Sequence, residues 1–224
     1  MFMINSFWFG GSASVTNLIS VDNDSDTVFV HDGITSTITT SFAAPDLYPT
    51  GATFDGTNLI TCGTTGDKIY IHSGVTATIT DSFSSPATGP KGLAWTGVDL
   101  VSCDSVSDRI YKHVGKTATI STSFASPGSL PTGLTYAEGN LISCDYIDDK
   151  IYIHSEVTAT ITASFSSPST SPYGLAWTGV DLVSCDTASD KTYKHSGVTA
   201  TITDSFTSAG ASVSGLTIQT IQTL

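Results

Sequence analysis

Apolar runs a few residues long alternate with clusters of Gly, Asp, Ser and Pro along the chain, and no segment shows the i, i+3, i+4 spacing of an amphipathic helix. Residues 90–130 show the pattern in full. Gly92-Leu93-Ala94-Trp95 predicts a short apolar strand and Thr96-Gly97-Val98-Asp99 a turn. Leu100 to Cys103 predicts a second strand, Asp104 to Asp108 a turn, Ile110 to His113 a third strand and Val114-Gly115 another turn. Thr117 to Phe124 alternates, with Ala118, Ile120 and Phe124 set against Thr117, Thr119 and Ser121, as a half-buried strand does. A loop from Ala125 to Pro131 then leads into a repetition of the same pattern.

The repetition is exact in spacing. His31, His72, His113, His154 and His195 are 41 residues apart, as are Cys62, Cys103, Cys144 and Cys185. So are the dipeptides that begin at Gly51, Gly92, Gly133, Gly174 and Gly215. A fixed period of this size means one supersecondary unit stacked on copies of itself. Four short antiparallel strands per copy predict an all-β fold, a five-bladed β-propeller. The motif Pro90-Lys91-Gly92-Leu93-Ala94-Trp95, with Leu100-Val101-Ser102-Cys103-Asp104 and Asp108-Arg109-Ile110-Tyr111, resembles the NHL and YWTD class of propeller repeats. That resemblance implies the fold over almost the whole chain. It implies little about activity, because such propellers include enzymes, receptors and scaffolds.

The blades are expected at about 49–89, 90–130, 131–171 and 172–212, with the first made of 11–48 plus 213–224. Gly215-Leu216-Thr217-Ile218 matches Gly174-Leu175-Ala176-Trp177, whereas Gly10 to Val15 has no large apolar residue at the Trp position. The C-terminal strand is therefore expected to complete the first blade and close the ring, removing an open edge. The apolar residues 1–10 are left as an extension that packs across the ring or mediates contacts. They have no basic leading region and do not read as a signal peptide, and no apolar run is long enough to span a bilayer.

Histidines and cysteines in register invite a metal or disulfide reading, which propeller geometry opposes. With strands ~4.8 Å apart and an inner strand ~7 Å from the axis, neighbouring cysteines fall ~14 Å apart and neighbouring histidines ~20 Å apart. A disulfide needs Cα atoms within about 7 Å, and a shared metal needs bonds near ~2 Å. The cysteines are expected to be buried structural thiols, and the histidines polar strand ends bonded to their turns. Free thiols lean toward a reducing, cytoplasmic compartment.

Composition narrows the function. Twenty acidic against eight basic residues give a net charge of −12, which disfavours nucleic-acid binding. No nucleophile elbow, zincin motif, P-loop or dinucleotide fingerprint is present. The lactonase relatives implied by the resemblance hold a metal with acidic and amide groups, and the inner strands here carry no carboxylate. No enzyme activity and no cofactor are expected.

Two features remain as candidate sites. Phe54, Trp95, Tyr136 and Trp177 end the inner strands and could stack on a sugar ring. Asp22, Asp24, Asp26, Asp104, Asp108, Asp145, Asp149, Asp186 and Asp190 crowd the turns between second and third strands, where they could carry weak calcium or simply build Asx turns. Those turns and the blade-to-blade loops share one face of the disc and vary between copies. The opposite face carries the first-to-second and third-to-fourth turns, which hardly change. The expected function is a non-catalytic, multivalent binding module, with glycans as the ligand. The alternative is a scaffold, natural or engineered, that meets a protein partner. A monomer is the expected state.

Overall fold

A computed structural model describes residues 14–222. The predicted extension, residues 1–10, lies outside the described residues. Five antiparallel four-stranded sheets form the blades of the ring. Blade 1 comprises β1 (Ser14–Asp22), β2 (Thr27–His31) and β3 (Ile38–Ala43). Blade 2 comprises β4 (Pro49–Phe54), β5 (Leu59–Gly63), β6 (Lys68–His72) and β7 (Ile79–Ser84). Blade 3 comprises β8 (Pro90–Trp95), β9 (Leu100–Asp104), β10 (Arg109–His113) and β11 (Ile120–Ala125). Blade 4 comprises β12 (Pro131–Ala137), β13 (Asn140–Asp145), β14 (Lys150–His154) and β15 (Ile161–Ser166). Blade 5 comprises β16 (Pro172–Trp177), β17 (Leu182–Asp186), β18 (Lys191–His195) and β19 (Ile202–Thr207). The last strand, β20 (Val213–Gln222), returns to pair with β1 from Ser14↔Gln222 to Asp22↔Val213, so the C-terminus closes the ring as the sequence predicts.

Each outer strand begins three residues later than the alternation suggests. In blade 3, Thr117 to Thr119 belong to the turn, and Val114 N–H donates to the Thr119 carbonyl at 2.8 Å. The reason is a bulge: His113 pairs with Ile120 and Ser121 is skipped. The same irregularity occurs at His31, His72, His154 and His195.

The core is divided into five layers, each shared by two blades. Between blades 2 and 3, Ile60, Cys62, Ile69 and Ile71 meet Leu93 and Leu100. Each fully buried Leu or Ile contributes about 1.5–3 kcal/mol, and neither neighbour could bury its face alone. The layers continue across the closing blade, where Leu18 of β1 and Val213 and Leu216 of β20 pack on Ala176, Val183 and Cys185.

The centre is tighter than the ~7 Å radius expected from strand spacing. Strands of non-neighbouring blades, β12 with β20 and with β4, bring Cα atoms within 8 Å. Inner-strand glycines permit this. A Cβ on Gly133 would lie 2.1 Å from the Tyr173 carbonyl oxygen, and one on Gly51 would lie 2.0 Å from that of Lys91. Hydroxyls stitch adjacent inner strands: Thr50 donates to the Pro90 carbonyl at 2.7 Å, Thr132 to Pro172 at 2.7 Å and Ser214 to Pro49 at 2.8 Å.

Candidate functional site

The repeated histidines end their strands in the core and are at most 1% exposed. In blade 3 the Nδ1 of His113 lies 2.7 Å from the Thr117 carbonyl, and its Nε2 lies 2.9 Å from the Ser102 hydroxyl. A carbonyl can only accept, so Nδ1 carries the proton and Nε2 accepts from the hydroxyl. His31, His72, His154 and His195 repeat the arrangement with Ser20, Thr61, Ser143 and Ser184. Desolvation holds all five below the usual imidazole range, against the opposing pull of the carbonyl bond. Each ring also meets the outer-strand Phe of the preceding blade, as in Phe83–His113 at 5.7 Å between centroids. Phe206–His31 at 6.3 Å completes the circuit from blade 5 to blade 1.

The cysteines are free and buried. Their thiols face backbone: Cys62 Sγ donates to the Lys91 carbonyl at 3.1 Å, and Gly92 N–H donates to Cys103 Sγ at 3.1 Å. Burial pushes the Cys62 and Cys144 thiols up to about 12, and Cys103 and Cys185 also lie above the usual range for the same reason. Such thiols stay protonated and shielded in any compartment, so their reduced state does not report on a cytoplasmic one.

The aspartates of the variable face separate into three groups. Asp22, Asp104, Asp145 and Asp186 are buried and spend both oxygens on backbone. Asp104 Oδ1 accepts from Val106 N–H at 3.0 Å and Ser107 N–H at 2.8 Å, while Oδ2 accepts from Gly89 N–H at 2.7 Å. Each carboxylate thus ties its turn to the incoming blade-to-blade loop. Asp26, Asp108, Asp149 and Asp190 end the turns in left-handed conformation, φ 50–52°. Asp24 is an exposed residue within the first turn. The structure does not bring these side chains to one point. Among the described residues there is no group of three or more His, Cys, Asp or Glu placed to hold a metal.

One member of this network was missed in the sequence. Gly63 interrupts the column of buried aspartates, and Asp46 from the preceding loop fills the gap, accepting from Gly66 N–H at 2.8 Å. A Cβ on Gly63 would lie 2.7 Å from the Asp46 side chain. The signal was a Gly in an Asp column beside an acidic residue in a loop position that is otherwise neutral.

The aromatic positions Phe54, Trp95, Tyr136 and Trp177 lie on the constant-turn face, each half-buried. Trp95, Tyr136 and Trp177 pack against three successive inter-blade layers, so they mark separate grooves rather than one ring-shaped platform. The grooves are not equivalent. Between blades 2 and 3, Lys116 Nζ lies 5.8 Å from the Trp95 ring centroid and is ion-paired with Asp55, which covers the indole. Between blades 3 and 4 a groove of about 570 Å³ is open, lined by Tyr136, Thr96, Asp99, Lys112 and Glu156 among others. Lys112 is paired with Asp99 at 3.2 Å. Periodicity had pointed to the aromatics and not to these charged neighbours, because they break the repeat.

No helix among the described residues is long and apolar enough to cross a membrane. None of the curated proteins matches the chain. Among solved structures, a chain of a nidogen/laminin complex is 13% identical with a TM-score of 0.62, covering 91% of this chain and 98% of that one. Glutaminyl cyclase of Myxococcus xanthus is 14% identical with a TM-score of 0.60, over 75% of this chain and 69% of that one. A catalytically inactive virginiamycin B lyase from Staphylococcus aureus is 18% identical with a TM-score of 0.54, over 90% and 72%. At these identities the likeness shows the propeller fold alone. The family is given by sequence: the model of the cell surface immobilisation antigen SerH matches residues 18–222, and the chain belongs to that family.

Proposed function

We propose that this chain is a non-catalytic propeller displayed at the cell surface, where a rigid repeated frame presents one face of changing acidic loops to a protein partner. The observation that carries the reading is the commitment of the repeated chemistry. The histidines, the cysteines and one aspartate per turn in four blades are buried and bonded within the fold. Catalysis needs different groups converging once on a reacting atom, and the bonding pattern here supports the opposite use, five similar locks. What varies is exposed: Ser105-Val106-Ser107 in blade 3 corresponds to Tyr146-Ile147-Asp148 in blade 4, and Val106 and Ile147 are 68% and 59% exposed. Variable loops on a constant frame are where recognition concentrates. The family's name, a cell surface antigen, supports the same location.

The cover that Lys116 forms over Trp95 weighs against five equal sugar-stacking sites, so we place display ahead of a multivalent lectin. Antibodies against the purified chain, applied to intact and to permeabilised source cells, test the reading. Labelling of intact cells is the expected result. Labelling only after permeabilisation would overturn display, and glycan binding lost in Trp177→Ala would return the lectin to first place.

A further inference from the structure

We propose that the groove between blades 3 and 4 is a binding site for an alkylammonium group, the chemistry of a lysine side chain or a free aliphatic amine. The site lies on the constant-turn face, opposite the variable loops, and goes beyond the display reading. It would stand if that reading failed.

The first observation is where glutamate occurs. The chain has only two, Glu138 and Glu156, and both are in turns of blade 4 on this face. Glu138 takes φ 51° and Gly139 φ 87° in a two-residue turn of their own, whereas blades 2, 3 and 5 place Gly56, Gly97 and Gly179 at φ 94°. Glu156 takes φ 57° where Gly33, Gly74, Gly115 and Gly197 take 60–69°. Glycine adopts this region freely and glutamate does not. A glutamate that keeps a conformation for which the four other copies use glycine points to a use for the Glu156 side chain. Glu156 lines the groove of about 570 Å³, and Glu138 precedes Gly139, which also lines it.

The second observation is a lysine that fills the corresponding place next door. Lys116 sits over Trp95 and pairs with Asp55 between blades 2 and 3. One period later Tyr136 stands for Trp95, but Val157 stands for Lys116. Valine cannot reach over the ring, so the space that the ammonium takes between blades 2 and 3 is left open between blades 3 and 4. The aromatic face remains available to a cation. Charge points the same way. Lys112 is engaged by Asp99, and Glu156 has no ion-pair partner among the described residues. Among the residues that line the groove, Asp99 and Lys112 cancel and Glu156 leaves one negative charge in excess, which favours a cation and disfavours an anion.

The test is a titration of the isotope-labelled chain with n-butylammonium, a bare lysine side chain, followed by backbone amide shifts, with n-butanol as the uncharged control. Saturable shifts at Gly139, Glu156 and Val157, absent with n-butanol, are expected. Glu156→Gly restores the residue of the other copies and Glu138→Gly removes the second carboxylate; each should weaken binding by about five-fold. Val157→Lys should refill the groove and abolish the shifts, while Lys116→Val should open a second site around Trp95. A capped Gly-Lys-Gly peptide binding more tightly than putrescine would assign the amine to a protein partner; the reverse would assign it to a free amine. Shifts spread equally over the aspartate turns of the other face, or unchanged by Val157→Lys, would overturn the proposal.

Discussion

Five neutral histidines locked in register make the stability of this propeller steeply dependent on pH. Burial holds each ring below its ordinary value of 6.5, so in the folded state it resists protonation that the unfolded chain accepts freely. The contribution is therefore fully present above pH 6.5 and is lost as pH falls from there toward the lower folded values. Each histidine that takes up a proton only on unfolding costs about 1.4 kcal/mol per pH unit in this window. Five acting together give an upper limit of about 6–7 kcal/mol between pH 7.5 and 5.5. That is a large share of the ~5–15 kcal/mol that holds a typical domain folded. Asp99 and Asp181 do not obscure it. Backbone bonds and the facing lysines hold Asp99 and Asp181 below their ordinary value of 3.8, so their contribution is lost only in a lower window.

Urea unfolding at half-unit steps from pH 8 to pH 5 measures the effect, because the slope of stability against pH counts the protons taken up on unfolding. The expected slope steepens below pH 6.5 toward several protons, with an unchanged m-value. A flat profile from pH 7.5 to 5.5 would refute the reasoning. It would mean that the rings can charge in place, with the Ser or Thr hydroxyl turning to accept from the new Nε2 proton.

The central packing predicts a graded series: Gly133→Ala, whose Cβ would meet a backbone oxygen at 2.1 Å, should cost about 3 kcal/mol or more, and Gly215→Ala, with its nearest atoms at 3.0 Å, about 1 kcal/mol. Thermal melts read the difference, and the reverse order would defeat the close-approach argument. Asp145→Ala strips acceptors from Ile147, Asp148 and Leu130 N–H groups and should cost about 2–4 kcal/mol by chemical denaturation. For Asp99 and Lys112, a double-mutant cycle with Asp99→Asn and Lys112→Ile, the pairing of blade 4, should give a coupling of only about 0.5–1 kcal/mol because both groups are partly exposed. All four thiols should be silent to a thiol reagent in the native state and react together on unfolding; a fast-reacting native cysteine would contradict their burial.

Those substitutions also show how far one sequence discloses its own fold. The period, the strand order and the closing strand were legible because each depends on residues that recur: a fixed interval sets the blade, and alternation inside it sets the strands. The bulge at each histidine was not legible. Its cause is a bond from His113 Nδ1 to the carbonyl of Thr117, four residues on, and a backbone carbonyl leaves no mark in composition. The candidate site was least legible, since it is made of departures from the repeat. Asn17, Asn58 and Asn140 cap a turn N–H in blades where Val30, Ile71 and Ile153 stand across the strands, whereas Asp99 and Asp181 do so where Lys112 and Lys194 stand. The charge on one strand follows the charge on the next because an unpaired one would be left half-buried in a groove. A period search treats such pairs as noise. In a chain whose copies share one backbone, a correlated departure is a pair of side chains in contact, and here those departures place the charges in the grooves.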